Sequence, residues 1–357
     1  MNKYEINDRR SEKEFKGMTF SKYKKSAVKK ELLKAMLNNK IEPACYWSCE
    51  YICAGLFADL WEVILTYFSK NIHLGNPKLP LYLELRYTAF KEIAMNGYIG
   101  NELSLRNSPK IRKLFAEIII VLTTSYTKHA YTPVKVDKKD FNMAELPEKL
   151  KAPNVKYASA IFKKEDPKEF FIALNELAYH LSPKSNNTRF ACYWIEWIIE
   201  FETICKSKKK YICGRREYVP VESKKQTDCV WMIWDTLLHQ VTKSKSGLIK
   251  LIKALLNLFC IRYTHGCKKR RRYIMYFAVS LITEKFDAKK QLISSDIDIN
   301  KAISKIDIIY AQIKKNEVSP ATDYLFNNSF TDSEKNLKNT IAKLETMDSL
   351  TGFIPRN

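Results

Sequence analysis

Apolar residues return every three or four positions along most of this chain, with charged residues between them. That period predicts amphipathic helices. Val28, Leu32, Leu33, Met36 and Leu37 share one helical face, and a second helix is expected from near Pro43, carrying Tyr46, Trp47, Tyr51 and Ile52. A third lies between Pro77 and Gly97, the glycine marking its stop. Ser108 before Pro109 predicts an N-cap and a proline at the first helical position, opening a helix over 110–122. Asp166-Pro167 repeats the device, with Glu169 placed for a capping box. The cleanest stripe is Leu248, Leu251, Ile252, Leu255, Leu256 and Phe259. Further on, Ile299, Ile303, Ile306, Tyr310 and Ile313 form a narrow seam, either a coiled coil or, more simply, a helix docked on its own core. Thr331 to Glu334 is a capping box before Leu337, Ile341 and Leu344. The chain then closes on an exposed peptide whose Leu350, Phe353 and Ile354 are expected to anchor a protein partner.

The pattern also repeats. Ala44-Cys45-Tyr46-Trp47 returns as Ala191-Cys192-Tyr193-Trp194, and Trp61 to Leu65 is echoed by Trp234 to Leu238. Lys110 to Leu114 matches Lys269 to Tyr273 in the same order. The expectation is therefore an all-α fold made of two tandem related helical units and a helical C-terminal tail. A polar segment, 1–25, precedes a first unit over 26–132. Residues 133–165, with Pro133, Pro147, Pro153 and many lysines, read as a linker. The second unit spans 166–285, with a basic insertion near 206–225 expected to be a loop or small hairpin, and the tail runs over 286–357.

Composition narrows the function classes. With 46% hydrophobic residues the chain has enough apolar material for substantial cores, and its 9 glycines argue against turn-rich sandwiches and barrels. No apolar stretch behind a basic start suggests a signal peptide, and no run is long enough to predict a membrane span. The 9 cysteines lack regular spacing and read as reduced thiols of an intracellular protein. Lys and Arg number 61 against 39 Asp and Glu, a net charge of +22, which speaks of an anionic partner, nucleic acid first.

Ser26-Ala27-Val28, Leu32 to Met36, Pro43 to Trp47 and Ile72-His73-Leu74-Gly75-Asn76-Pro77 carry a resemblance. The whole chain resembles a family of uncharacterised proteins of giant nucleocytoplasmic large DNA viruses. Residues 26–130 are more distantly similar to the C-terminal helical oligomerisation domain of clamp-loader-related AAA+ ATPases. Those ATPases share a Tyr-Trp pair after an Asp/Pro-Ala step and an Ile-Gly-x-x-Pro-like turn. The resemblance implies a helical collar near DNA, at work in the host cytoplasm, in the viral factory, or in the virion interior. The phosphate-binding loop of the ATPases is missing, so ATP hydrolysis is not carried over and no cofactor is expected.

Candidate chemistry is dominated by cations. Lys208, Lys209, Lys210, Arg215 and Arg216, with Lys268, Lys269, Arg270, Arg271 and Arg272, are expected to bind nucleic acid through phosphate neutralisation. Tyr211, Tyr218, Tyr263 and Tyr273 lie among them, as stacking on single strands requires. Cys45, Cys49 and Cys53 share a helical face, and Cys205, Cys213 and Cys229 form a weaker set, but buried small residues explain both better than a metal. His73, His129, His180, His239 and His265 fall in separate segments, and Glu196 and Glu200 sit one turn apart without a recognisable motif. These features point to a non-catalytic nucleic-acid-binding adaptor in viral replication or transcription. An internal virion or assembly protein is the alternative, and an enzyme of unfamiliar type comes third.

Overall fold

The computed structural model describes residues 4–98, 101–142, 146–205, 211–242, 246–293, 299–318 and 337–341. Its α-helices are α1 (Lys25–Leu37), α2 (Ile41–Cys53), α3 (Phe57–Tyr67), α4 (Leu79–Met95), α5 (Pro109–Thr124), α6 (Phe171–Leu181), α7 (Thr188–Cys205), α8 (Val230–Thr242), α9 (Ser246–Cys260), α10 (Arg272–Thr283), α11 (Ile299–Ser304) and α12 (Ile306–Lys314). Among the described residues there is no β-strand, only an isolated bridge between Met18 and Lys24. The fold is all-α, as the hydrophobic period predicts.

Backbone proximity divides the chain into two units, the first Met1–Tyr67, Leu85–Tyr126 and Gln291–Asn357, the second Phe68–Glu84 and Thr127–Lys290. This differs from the division expected from sequence. Phe68 to Glu84 joins the second unit because Phe68 and His73 pack on Phe277 of α10. The described residues of the tail from Gln291 on join the first unit.

In the first unit α2 is enclosed, with every residue from Ala44 to Cys53 buried. It packs on α1, α3, α5 and α12. The chain start, expected to be polar, adds to this core: Phe15, Phe20 and Tyr23 are buried, and the Arg10 guanidinium lies 4.9 and 4.7 Å from the Phe15 and Phe20 ring centroids. Its charge meets Asp8 at 2.6 Å, so a segment that looks hydrophilic in sequence folds inward as a neutral pair on aromatic rings. The tail seam docks on its own core. Ile306, Ile309, Tyr310 and Ile313 are buried against α2 and α5, and a break at Lys305 separates α11 from α12.

In the second unit α7 packs on α6 and α10, and α8 on α6 and α9. Trp194, Trp231 and Trp234 are fully buried. In the first unit α1 pairs with α2 and α2 with α5; in the second α6 pairs with α7 and α7 with α10. The described residues of 133–165 form a strap rather than a free connection. Asp140 accepts the Tyr193 hydroxyl at 2.9 Å, and Glu176 accepts the Lys151 and Ala152 N–H groups at 2.9 and 3.0 Å. A proline-rich segment has few ladder partners for its N–H groups, and buried carboxylates supply them.

The helix-start signals hold in part. Pro109 is the first residue of α5, but Ser108 makes no side-chain cap bond. Asp166 caps no α-helix, since α6 begins at Phe171 after a 3-10 turn over Lys168–Phe170. The capping box of 331–334, Leu344 and the peptide with Leu350, Phe353 and Ile354 lie outside the described residues.

Candidate nucleic-acid interface

The two basic stretches of the second unit are brought together at Asp228. Its carboxylate is fully buried and accepts the Val230 N–H at 3.0 Å, at the start of α8. It also accepts the Tyr263 hydroxyl at 2.7 Å, the Lys268 ammonium at 2.9 Å and His265 Nδ1. From the other stretch, Cys213 Sγ bonds the Asp228 carbonyl at 3.2 Å. Burial opposes the charge on Asp228, but the His265 hydrogen bond and the nearby Lys268 overcome it and hold the carboxyl well below its usual range.

The cations so gathered do not form one face. Arg216 is fully buried, joined to Asp166 through both guanidinium ends and to Asp235 through Nε at 2.7 Å. The same contacts explain why Asp166 is no helix cap. Lys268 is buried between Asp228 and Glu202, the latter at 2.5 Å. Arg271 is buried and donates to the Phe259 and Ile261 carbonyls, both at 2.6 Å. Arg272 is mostly covered and pairs with Glu196 at 3.3 Å. Such side chains are held by their partners, because leaving them would strand buried carboxylates or carbonyls. That corrects the expectation for Arg216, Lys268, Arg271 and Arg272.

What reaches solvent is Arg215, Arg270 and part of Lys269. Arg270 is exposed with no acidic partner among the described residues. Arg215 is exposed and its Nε donates to Gln226 Oε1 at 2.8 Å. Lys269 is 41% exposed and pairs with Glu200 at 2.8 Å, a surface contact that a phosphate can displace. Lys208, Lys209 and Lys210 lie outside the described residues.

Lys269 also borders a feature that sequence reading missed, an open cleft of about 410 Å³. It is lined by Ile199, Glu202, Thr203, Tyr211, His265, Gly266, Lys268 and Lys269. Burial pushes the Glu202 carboxyl up, and the Lys268 charge offsets this only in part. The His265 side chain is 47% exposed, and with Nδ1 held by Asp228 its Nε2 lies on the opposite ring edge. No spacing in the sequence joins Glu202 to His265; only the pairing of both segments through Lys268 and Asp228 does.

Of the tyrosines, only Tyr211 lines this cleft. Tyr263 is buried on Asp228, Tyr218 bonds Asp235, and Tyr273 packs edge-on against Tyr276. Cys45, Cys49 and Cys53 are buried, and burial pushes the Cys45 thiol up to about 12, which leaves it unreactive at neutral pH. Cys213 and Cys229 are buried as well. Among the described residues no group of three or more His, Cys, Asp or Glu is placed to hold a metal ion, and no helix is long and apolar enough to cross a membrane. No protein-family model, curated protein or solved structure matches the chain.

Proposed function

We propose that the chain is a non-catalytic nucleic-acid-binding adaptor whose second unit carries the contact surface. The observation that bears this reading is the exposure of Arg215 and Arg270 and the place of Lys269 in the lining of an open cleft, on a chain of net charge +22. Exposed cations release counterions when they meet phosphates, so the binding is sequence-tolerant and salt-sensitive. The sequence resemblance to giant-virus proteins and to clamp-loader collars ties this contact to viral replication or transcription. The recurring helix pairings support the tandem duplication read from the aromatic tetrapeptides.

The test is binding of the full chain to labelled single- and double-stranded DNA and RNA over a salt series. Replacing Arg215, Lys269 and Arg270 together with Ala is expected to weaken binding and to lower the slope of log affinity against log salt by about 2–3. An unchanged slope sinks the assignment of these residues, and absence of binding at low salt sinks the function.

A further inference from the structure

The exposed cations explain attraction to phosphates but not the open cleft that Lys269 helps to line. The cleft volume, about 410 Å³, is in the range of a small-ligand site and far too narrow for a duplex. Its walls are chemically mixed. Tyr211 is in the lining and is propped by Phe170 and Phe201, with ring centroids at 5.2 and 5.8 Å, so the ring is held in place. Glu202 is in the lining too. Its Oε2 accepts Lys268 at 2.5 Å, while Oε1 has no hydrogen-bond partner among the described residues. Lys268 is itself fixed by the buried Asp228, so the carboxylate is oriented before any ligand arrives. His265 and Lys269 add a polar group and a cation to the same lining.

An aromatic ring, an oriented acceptor and a cation in one cleft match the parts of a nucleotide: base face, base edge and phosphate. We propose that the cleft accepts one unstacked base of a single strand, with Tyr211 as the stacking wall and Glu202 reading guanine. Guanine presents two adjacent donors, its imino and amino N–H groups, to a carboxylate. Adenine and cytosine present an amino group beside a ring acceptor, and thymine a single imino N–H between two carbonyls that a carboxylate repels. The inference rests on the reading that the second unit binds nucleic acid, and it adds strandedness and base preference to it.

The test uses the full chain and fluorescein-labelled dT dodecamers carrying one central dG, dA, dC or dT, at a single moderate salt concentration. The dG strand is expected to bind about tenfold tighter than all-dT, within the range of one good edge contact. Glu202→Gln should abolish that preference and keep all-dT binding. Tyr211→Ala should lower single-strand affinity about tenfold and leave duplex affinity unchanged, while Tyr211→Phe restores it. Thermal melting of each variant separates loss of the cleft from loss of the fold. Equal affinity for all strands, a preference surviving in Glu202→Gln, or unchanged binding by a folded Tyr211→Ala overturns the cleft proposal while salt-sensitive binding persists. If no strand binds even at low salt, the nucleic-acid reading falls with it.

Discussion

At the scale of residues, burial decides what a charge is for. Arg216 sits in a lysine- and arginine-rich stretch, yet it is fully buried and faces two aspartates. Arg216→Ala would leave the Asp166 carboxylate buried without its counter-ion, a loss of about 3–5 kcal/mol. Thermal or denaturant unfolding would show it; a variant of unchanged stability that lost only nucleic-acid binding would restore Arg216 to the surface role its sequence suggested. Glu42 makes the opposite point. Its Oε1 is buried without a hydrogen-bond partner, and burial, only partly offset by the Lys305 charge, pushes its carboxyl up to about 7. The unfolded value is about 4.3. Between these values the folded state holds a proton that the unfolded state has released, so stability falls as pH rises through this window. Glu42→Gln removes the linkage. The variant is expected to exceed the parent at pH 8 by about 1 kcal/mol, allowing for solvent screening, and to show no such gain at pH 4. Denaturant midpoints at both pH values decide it, and an offset independent of pH refutes it.

At the scale of elements, the period of apolar residues located most helices, because a helix that must bury one face shows that face in its spacing. The stripe from Leu248 to Phe259 became α9 and the seam near Tyr310 became α12. Which surface a helix buries was not legible. The α12 seam suits a partner chain as well as its own core, and the structure lays Tyr310 under the Arg112 guanidinium, 4.2 Å from the ring centroid. Tyr310→Ala should therefore destabilise the first unit by about 3–5 kcal/mol, since a fully buried aromatic leaves a cavity. Unfolding that matches the parent would mean that the tail is not part of this core. Cap signals carried less weight than spacing. Asp166 has the residue type and the following proline of a helix start, but a buried guanidinium competes more strongly for its carboxylate than any backbone N–H.

At the scale of the whole molecule, the sequence by itself determined the class of fold and the net charge. The helical period and the scarcity of glycine lead to an all-α chain, and the excess of basic residues is a sum that folding cannot change. The candidate interface was legible as a list of cations and not as a surface. Which ones face solvent depends on where Asp166, Asp228, Glu196 and Glu202 fall, and these acids lie far along the chain from the bases they neutralise. The domain limits behaved likewise, since Phe68 to Glu84 and the tail were assigned by packing partners distant in sequence. The cleft was invisible for the same reason. Periodicity reports contacts one helical turn apart, whereas a cavity and a buried ion pair are made by segments that only the tertiary fold brings together.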